Sequence, residues 1–221
     1  MTHTPALPII LTIALGLVLD QYGGPWATHA VSLWTWGLLA LLLQRAPSTQ
    51  RAAMLACLLI ATAGELFLAL AWGLYSYREA GLPLFVPPGH VLLYMLGLAL
   101  AERMPSSLVR PIGAVAAIAA AGLWMSGVDA LSALLVALFL LCLRFGPAPR
   151  LYATMFLLSL AMELWGTWLG NWQWQAHAPW LGWATMNPPF AAGAFYCVLD
   201  MLVGLLAGRG PVTDIALARR S

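Results

Sequence analysis

The stretches ELFLALAWGLYSY (residues 65–77) and ELWGTWLGNWQW (residues 163–174) follow one pattern, Glu-Leu-aromatic and then Gly-x-aromatic-x-aromatic. Each leads into a loop that ends in Pro-Pro, at Pro87-Pro88 and Pro188-Pro189. Proline is tolerated in the first turn of a helix because the amides there have no intrahelical partner. Each half therefore reads as a hairpin, a Glu-bearing helix, an aromatic loop and a helix opened by Pro-Pro. Four spans per half give both halves the same orientation, a parallel repeat about an axis near the membrane normal. The halves are expected at 1–110 and 111–209, followed by a cytoplasmic tail at 210–221. The two copies are one residue out of step between Glu and Gly.

Composition sets the medium in which this repeat lives. With 62% hydrophobic and 8% charged residues, the chain has too little polar surface to cover a water-soluble domain. Apolar runs of roughly 17–22 residues recur, which at about 1.5 Å per residue suit a hydrocarbon core of about 30 Å. They predict eight helices, at 5–22, 27–43, 52–73, 88–102, 111–126, 128–144, 151–169 and 188–207. The expected fold is an all-α polytopic membrane helix bundle. Its N-terminus lacks the basic region of a cleavable signal, so the first span is expected to be retained.

Arginine placement gives the orientation. Arg45, Arg51, Arg103, Arg110, Arg144, Arg150, Arg209, Arg219 and Arg220 fall on the side that holds both termini, and Arg78 falls on the other. The positive-inside rule makes the first side cytoplasmic. The net charge of +2 then reports topology rather than a nucleic-acid surface. Most tryptophans lie towards the other boundary, and with the alternating YSY and WQW segments they predict extended chain forming an aromatic outer lid. Cys57, Cys142 and Cys197 lie inside predicted helices without metal-like or redox-like spacing and read as packing residues.

Counting from the flanking arginines places Glu65, Glu163 and His90 each roughly 20 Å from the cytoplasmic edge, in one layer. Asp20 and His29 lie near enough in depth to approach it, and Asp200 sits deeper, about 14 Å up. Ionisable groups at such depth face the bundle interior, paired or hydrated. Small residues on their faces agree: His90 shares a face with Tyr94, Gly97 and Ala101, and Asp200 with Gly193, Cys197 and Gly204. Glu163 sits with Gly166, Thr167 and Gly170, where the Gly166 to Gly170 spacing predicts a GxxxG-like helix contact.

Four uses of this layer follow from its chemistry. Glu65 and Glu163 can hold lid amides and Trp indoles while His90 caps its own helix. They can do acid/base chemistry on a lipid-soluble substrate, with Glu65, His90 and Glu163 as the catalytic groups. Tyr75, Tyr77, Arg78, Tyr94, Trp172, Trp174, Asn187 and Asp200 are the candidate substrate-binding residues of that reading. Carboxylates and an imidazole can also take a first-row metal or haem, although no two of them share the one-turn spacing of a helical ligand pair. Transport of a small ion is the fourth use. Asp129 reads as a helix N-cap, and Arg78-Glu79 as a surface or lid pair. The composition fixes no cofactor. The expected partners are a membrane lipid or hydrophobic small molecule and a further membrane protein, not nucleic acid.

The segments LYSYREAGLPLFVPPGHVLLY (74–94) and LGNWQWQAHAPWLGWATMNPPFAAGAFYCVLD (169–200) resemble the signatures of a poorly characterised family of bacterial multispanning membrane proteins. That resemblance implies a multi-pass protein of the bacterial inner (cytoplasmic) membrane. More distantly, an acidic residue followed by Gly-x-aromatic-x-aromatic and Leu-Pro-Leu-x-x-Pro is similar to the carotenoid biosynthesis membrane proteins that modify polyene ends. This likeness implies protonation of a polyene carbon by a carboxyl group, with Trp and Tyr faces stabilising the resulting cation. The present chain departs from that pattern in its Glu-to-Gly spacing and in having His90 after Pro87-Pro88-Gly89.

Overall fold

The computed structural model describes residues 6–207 and is mostly helical. The tail at 210–221, His3, Arg209, Arg219 and Arg220 lie outside the described residues. Eight α-helices follow in order among the described residues: α1 (Ala6–Tyr22), α2 (Ala27–Arg45), α3 (Ser48–Glu65), α4 (Val86–Ala101), α5 (Ser106–Met125), α6 (Leu131–Phe145), α7 (Pro149–Leu169) and α8 (Gly193–Leu206). α3 continues without a break into a π-helical segment, Leu66–Ala71. Four short strands complete the chain: β1 (Tyr75–Tyr77), β2 (Trp172–Trp174), β3 (His177–Ala178) and β4 (Trp183–Ala184).

Two of the helices, Ser48–Ala71 and Ser106–Met125, are long and apolar enough to cross a membrane. Packing distinguishes an inner set from an outer one. α3 packs on α4, α4 on α7, α7 on α8 and α8 on α3, which closes a ring of four. The α1/α2 hairpin lies against α4, and α5/α6 lies against α7 and α8. Large side chains such as Tyr94, Tyr152, Phe139 and Phe156 are fully buried in the interior. The outward faces carry exposed apolar residues, including Leu33, Leu59, Ile118 and Leu205.

Helix ends differ from the sequence expectation in several places, and α3 begins four residues early, at Ser48. Pro188-Pro189 does not open α8: a turn at 190–192 follows the prolines, and the helix begins at Gly193, whose missing side chain lets it approach the Phe156 backbone. α5 starts at Ser106 with Pro111 inside it, so the junction expected at 110/111 falls within a helix. α6 starts three residues later than its expected span. There Asp129 caps the turn as foreseen, its Oδ1 accepting the Ser132 N–H at 3.1 Å and its Oδ2 the Ser132 hydroxyl at 2.6 Å. The fifth and sixth helices do separate at Ser126-Gly127, where Gly127 adopts φ +73°.

The π segment accounts for the one-residue mismatch between the two Glu-to-Gly stretches. Trp72 N–H donates to Phe67 O, a five-residue step, so this turn holds one residue more than an α-turn. In α7 the same distance is covered by ordinary helix ending in a left-handed Gly170 at φ +88°. Both routes deliver an aromatic x aromatic segment to the same place. There β1 and β2 pair antiparallel, with Tyr75 opposite Trp174 and Tyr77 opposite Trp172.

Candidate functional site

The pleat of this two-stranded ribbon sends alternate side chains to opposite faces. Ser76 and Gln173 are exposed, while Tyr75, Tyr77, Trp172 and Trp174 turn back onto the inner bundle. Each strand serves the Glu of its own half. Glu65 Oε2 accepts the hydroxyls of Tyr75 (2.9 Å) and Tyr77 (2.6 Å). Glu163 Oε2 accepts the indole N–H groups of Trp172 (2.8 Å) and Trp174 (3.0 Å). The remaining oxygens meet the inner bundle: Glu65 Oε1 lies 3.3 Å from His90 Nε2, and Glu163 Oε1 accepts the Tyr196 hydroxyl at 3.2 Å.

His90 and Tyr196 link the two carboxyl groups. Their rings stack with centroids 5.2 Å apart and planes 6° from parallel. His90 Nδ1 lies 3.0 Å from the carbonyl of Val86 one turn back, and since a carbonyl only accepts, Nδ1 carries a hydrogen. The contact between Nε2 and Glu65 Oε1 then holds one proton, on either partner. The inner ring thus supplies one residue per helix to a single layer: Glu65 from α3, His90 from α4, Glu163 from α7 and Tyr196 from α8.

The layer forms a wall between two apolar cavities. A cavity of about 320 Å³ lies on one side, bounded by Phe67, Leu68, Trp72, Leu138, Phe195 and Leu202 among others. A smaller one of about 80 Å³ lies on the other, bounded by Thr12, Val31, Thr35, Phe85 and Leu92 among others. Glu65, Tyr75, His90, Glu163 and Tyr196 line both. The π segment forms part of the larger cavity's wall, and π-turns are frequent at functional sites.

The residues expected at the site divide into those that converge and those that do not. Glu65, His90, Glu163, Tyr75, Tyr77, Trp172 and Trp174 converge as described. Asn187 stands outside the cavities and acts on the ribbon, its Oδ1 accepting the Trp174 backbone N–H at 2.9 Å. Arg78 faces away, donating to the Asp20 carbonyl (2.9 Å) and to Glu79 (3.1 Å). Asp20 does not enter the layer either. It is buried in a latch where its carboxylate accepts Thr28 (2.7 Å) and Asn171 (2.7 Å), tying α1 and α2 to the ribbon. His29 is exposed and touches Trp26 rather than the layer. Tyr94 and Asp200 are fully buried on the interior faces expected of them, but neither lines either of these two cavities.

Two further points correct or extend the sequence reading. Gly166 and Gly170 do not form a helix contact: Gly166 makes room for the Trp172 ring and Gly170 ends α7. Tyr196 was missed, although its spacings of three from Gly193 and four from Asp200 put it on their inward face. Among the described residues, no group of three or more His, Cys, Asp or Glu side chains has metal-binding geometry. The three cysteines are buried, with Cys57 Sγ 3.9 Å from His90 O and Cys197 Sγ 3.2 Å from Tyr152 O. No family model, curated protein or solved structure matches this chain.

Proposed function

We propose that the chain is a multi-pass protein of a bacterial inner membrane and that it carries out acid/base chemistry on an isoprenoid or other lipid in the outer half of the bilayer. In this reading all eight helices cross, as two parallel four-helix repeats with both termini cytoplasmic. Supporting it are the exposed apolar faces of the outer helices, which would be costly in water, and the Arg distribution. The symmetric service of Glu65 by β1 and Glu163 by β2 supports the repeat.

The observation that carries the chemistry is the cavity of about 320 Å³ ending on Glu65, His90, Glu163 and Tyr196. Its volume falls at the lower end of ligand pockets, about 300–1,000 Å³, and an apolar lining with a few convergent polar groups is their usual character. An apolar chain in this cavity presents a carbon to the layer, where one carboxyl group donates a proton and the Glu65–His90 pair removes one. Aromatic faces of Tyr196, Trp174 and Phe195 flank the place where positive charge would develop.

One observation favours a second, non-catalytic reading. Every carboxyl oxygen of Glu65 and Glu163 already faces a donor of the ribbon or inner bundle, as it would if the layer only anchored a lid over a bound lipid or a partner protein. Glu65→Gln and Glu163→Gln separate the two. Under the catalytic reading both variants remain folded yet alter the neutral-lipid profile of the cell, as deletion of the gene does. If deletion and variants all match the wild type, the catalytic reading falls.

A further inference from the structure

Between the acid/base layer and the start of α7 the inner bundle holds further buried polar groups. Helices α4 and α8 run in the same direction and α7 runs against them, since Gly97 of α4 faces Met155 while Gly193 and Cys197 of α8 face Phe156 and Tyr152. Those contacts fix the levels. Gly97 beside Met155 sets Tyr94 near the height of Ser159, and Cys197 beside Tyr152 sets Asp200 near the start of α7, about 10 Å or more further from the ribbon. Tyr94, Ser159 and Asp200 are fully buried. Tyr152, also fully buried, continues the row towards the start of α7.

The hydroxyls of Tyr94, Ser159 and Tyr152 and both oxygens of Asp200 are buried with no hydrogen-bond partner in the protein. Buried polar atoms are almost always partnered, by protein or by ordered water, because leaving them unpaired forfeits their hydration. Five such atoms in one bundle, spread over about 10 Å or more along its axis, require partners. An occupant beside a carboxyl group and three hydroxyls has to be able both to donate and to accept. Water does both; a metal ion only accepts lone pairs, and only one carboxylate is on hand.

We infer that Tyr94, Ser159, Tyr152 and Asp200 bind a row of water molecules that supplies protons to the Glu65–His90–Glu163 layer from the end of the bundle opposite the ribbon. Each proton that leaves the layer for substrate is replaced by one moving up the row, and the row is refilled from the α7 N-terminal end. The water row rests on the orphaned atoms alone, whereas its proton-supplying role rests on the acid/base reading above.

Hydroxyl-radical footprinting of the full-length protein in lipid nanodiscs tests the row itself, because radicals made from bound water label buried rings beside it. Tyr94 and Tyr152 become labelled while the stacked, buried pair Phe139 and Phe156 stays unlabelled. In Tyr94→Phe, which keeps the ring and removes one water ligand, labelling at Tyr152 falls. Unlabelled Tyr94 and Tyr152 in the wild type overturn the inference. So does labelling that sodium suppresses and choline does not, which would put a metal ion in place of water. For the role, Asp200→Asn slows lipid conversion while the substrate still copurifies with folded protein, and an unchanged rate overturns proton supply. If footprinting succeeds but Glu163→Gln leaves cellular lipids untouched, the acid/base reading fails and the water row stands.

Discussion

Replacing Glu163 separates its role as hydrogen-bond acceptor from its role as acid. In Glu163→Gln the amide oxygen keeps both indole bonds, and the amide nitrogen donates to the Tyr196 oxygen now 3.2 Å away. Only the Tyr196 hydroxyl hydrogen loses its acceptor, at a cost of about 1–3 kcal/mol. In Glu163→Met the volume is nearly kept, but the indole N–H groups of Trp172 and Trp174, in side chains only 7% and 4% exposed, lose their shared acceptor. Stranding a buried donor costs about 1–3 kcal/mol, so the two indoles cost about 2–6 kcal/mol beyond the Gln variant, which like the Met variant already strands Tyr196. At roughly 2–4 °C per kcal/mol for a chain of this size, melting falls by an amount of order 10 °C. Heating in mild detergent, followed by size-exclusion recovery and near-ultraviolet circular dichroism of the tryptophans, measures it. Adding Trp172→Phe and Trp174→Phe to the Met variant costs less than adding them to the wild type, because the donors are already stranded. A Met variant that melts with the wild type refutes the placement of both indoles on Glu163.

Three other outcomes follow from the geometry. Gly166→Ala drives a methyl group into the Trp172 ring, and such overpacking costs about 1–3 kcal/mol; a lowered melting temperature with an altered Trp172 emission checks it. Deleting Leu70 removes the extra residue of the π turn, so the protein still folds as the second half does, but the larger cavity loses part of its wall and copurifying lipid falls. Cysteine placed at Arg78 reacts with a membrane-impermeant maleimide from outside the cell and cysteine at Arg103 does not, against a quiet background because Cys57, Cys142 and Cys197 are buried; the reverse pattern overturns the orientation.

Apolar runs and their polar interruptions were enough to locate eight helices, mostly within a few residues, and to bring Glu65, His90 and Glu163 to one level. That success has a simple basis: an α-helix converts residue count into height at a fixed rise, so depth is legible in a linear sequence. Alternation in YSY and WQW likewise announced extended chain, because a strand's period is two. What the sequence left open was rotation and pairing. Whether Arg78 turned inward, whether Asp20 joined the layer or latched α1 to Asn171, and that Tyr196 would lie flat on His90 all depended on how separate helices meet. Gly166 carried the same ambiguity, since a small residue admits either a neighbouring helix or the ring of Trp172 from its own loop. The π turn after Glu65 shows the division most clearly. One surplus residue was visible in the sequence as a mismatch, but only packing decided that helix α3 would absorb it by widening a turn, keeping both aromatic segments in register over their carboxyl groups.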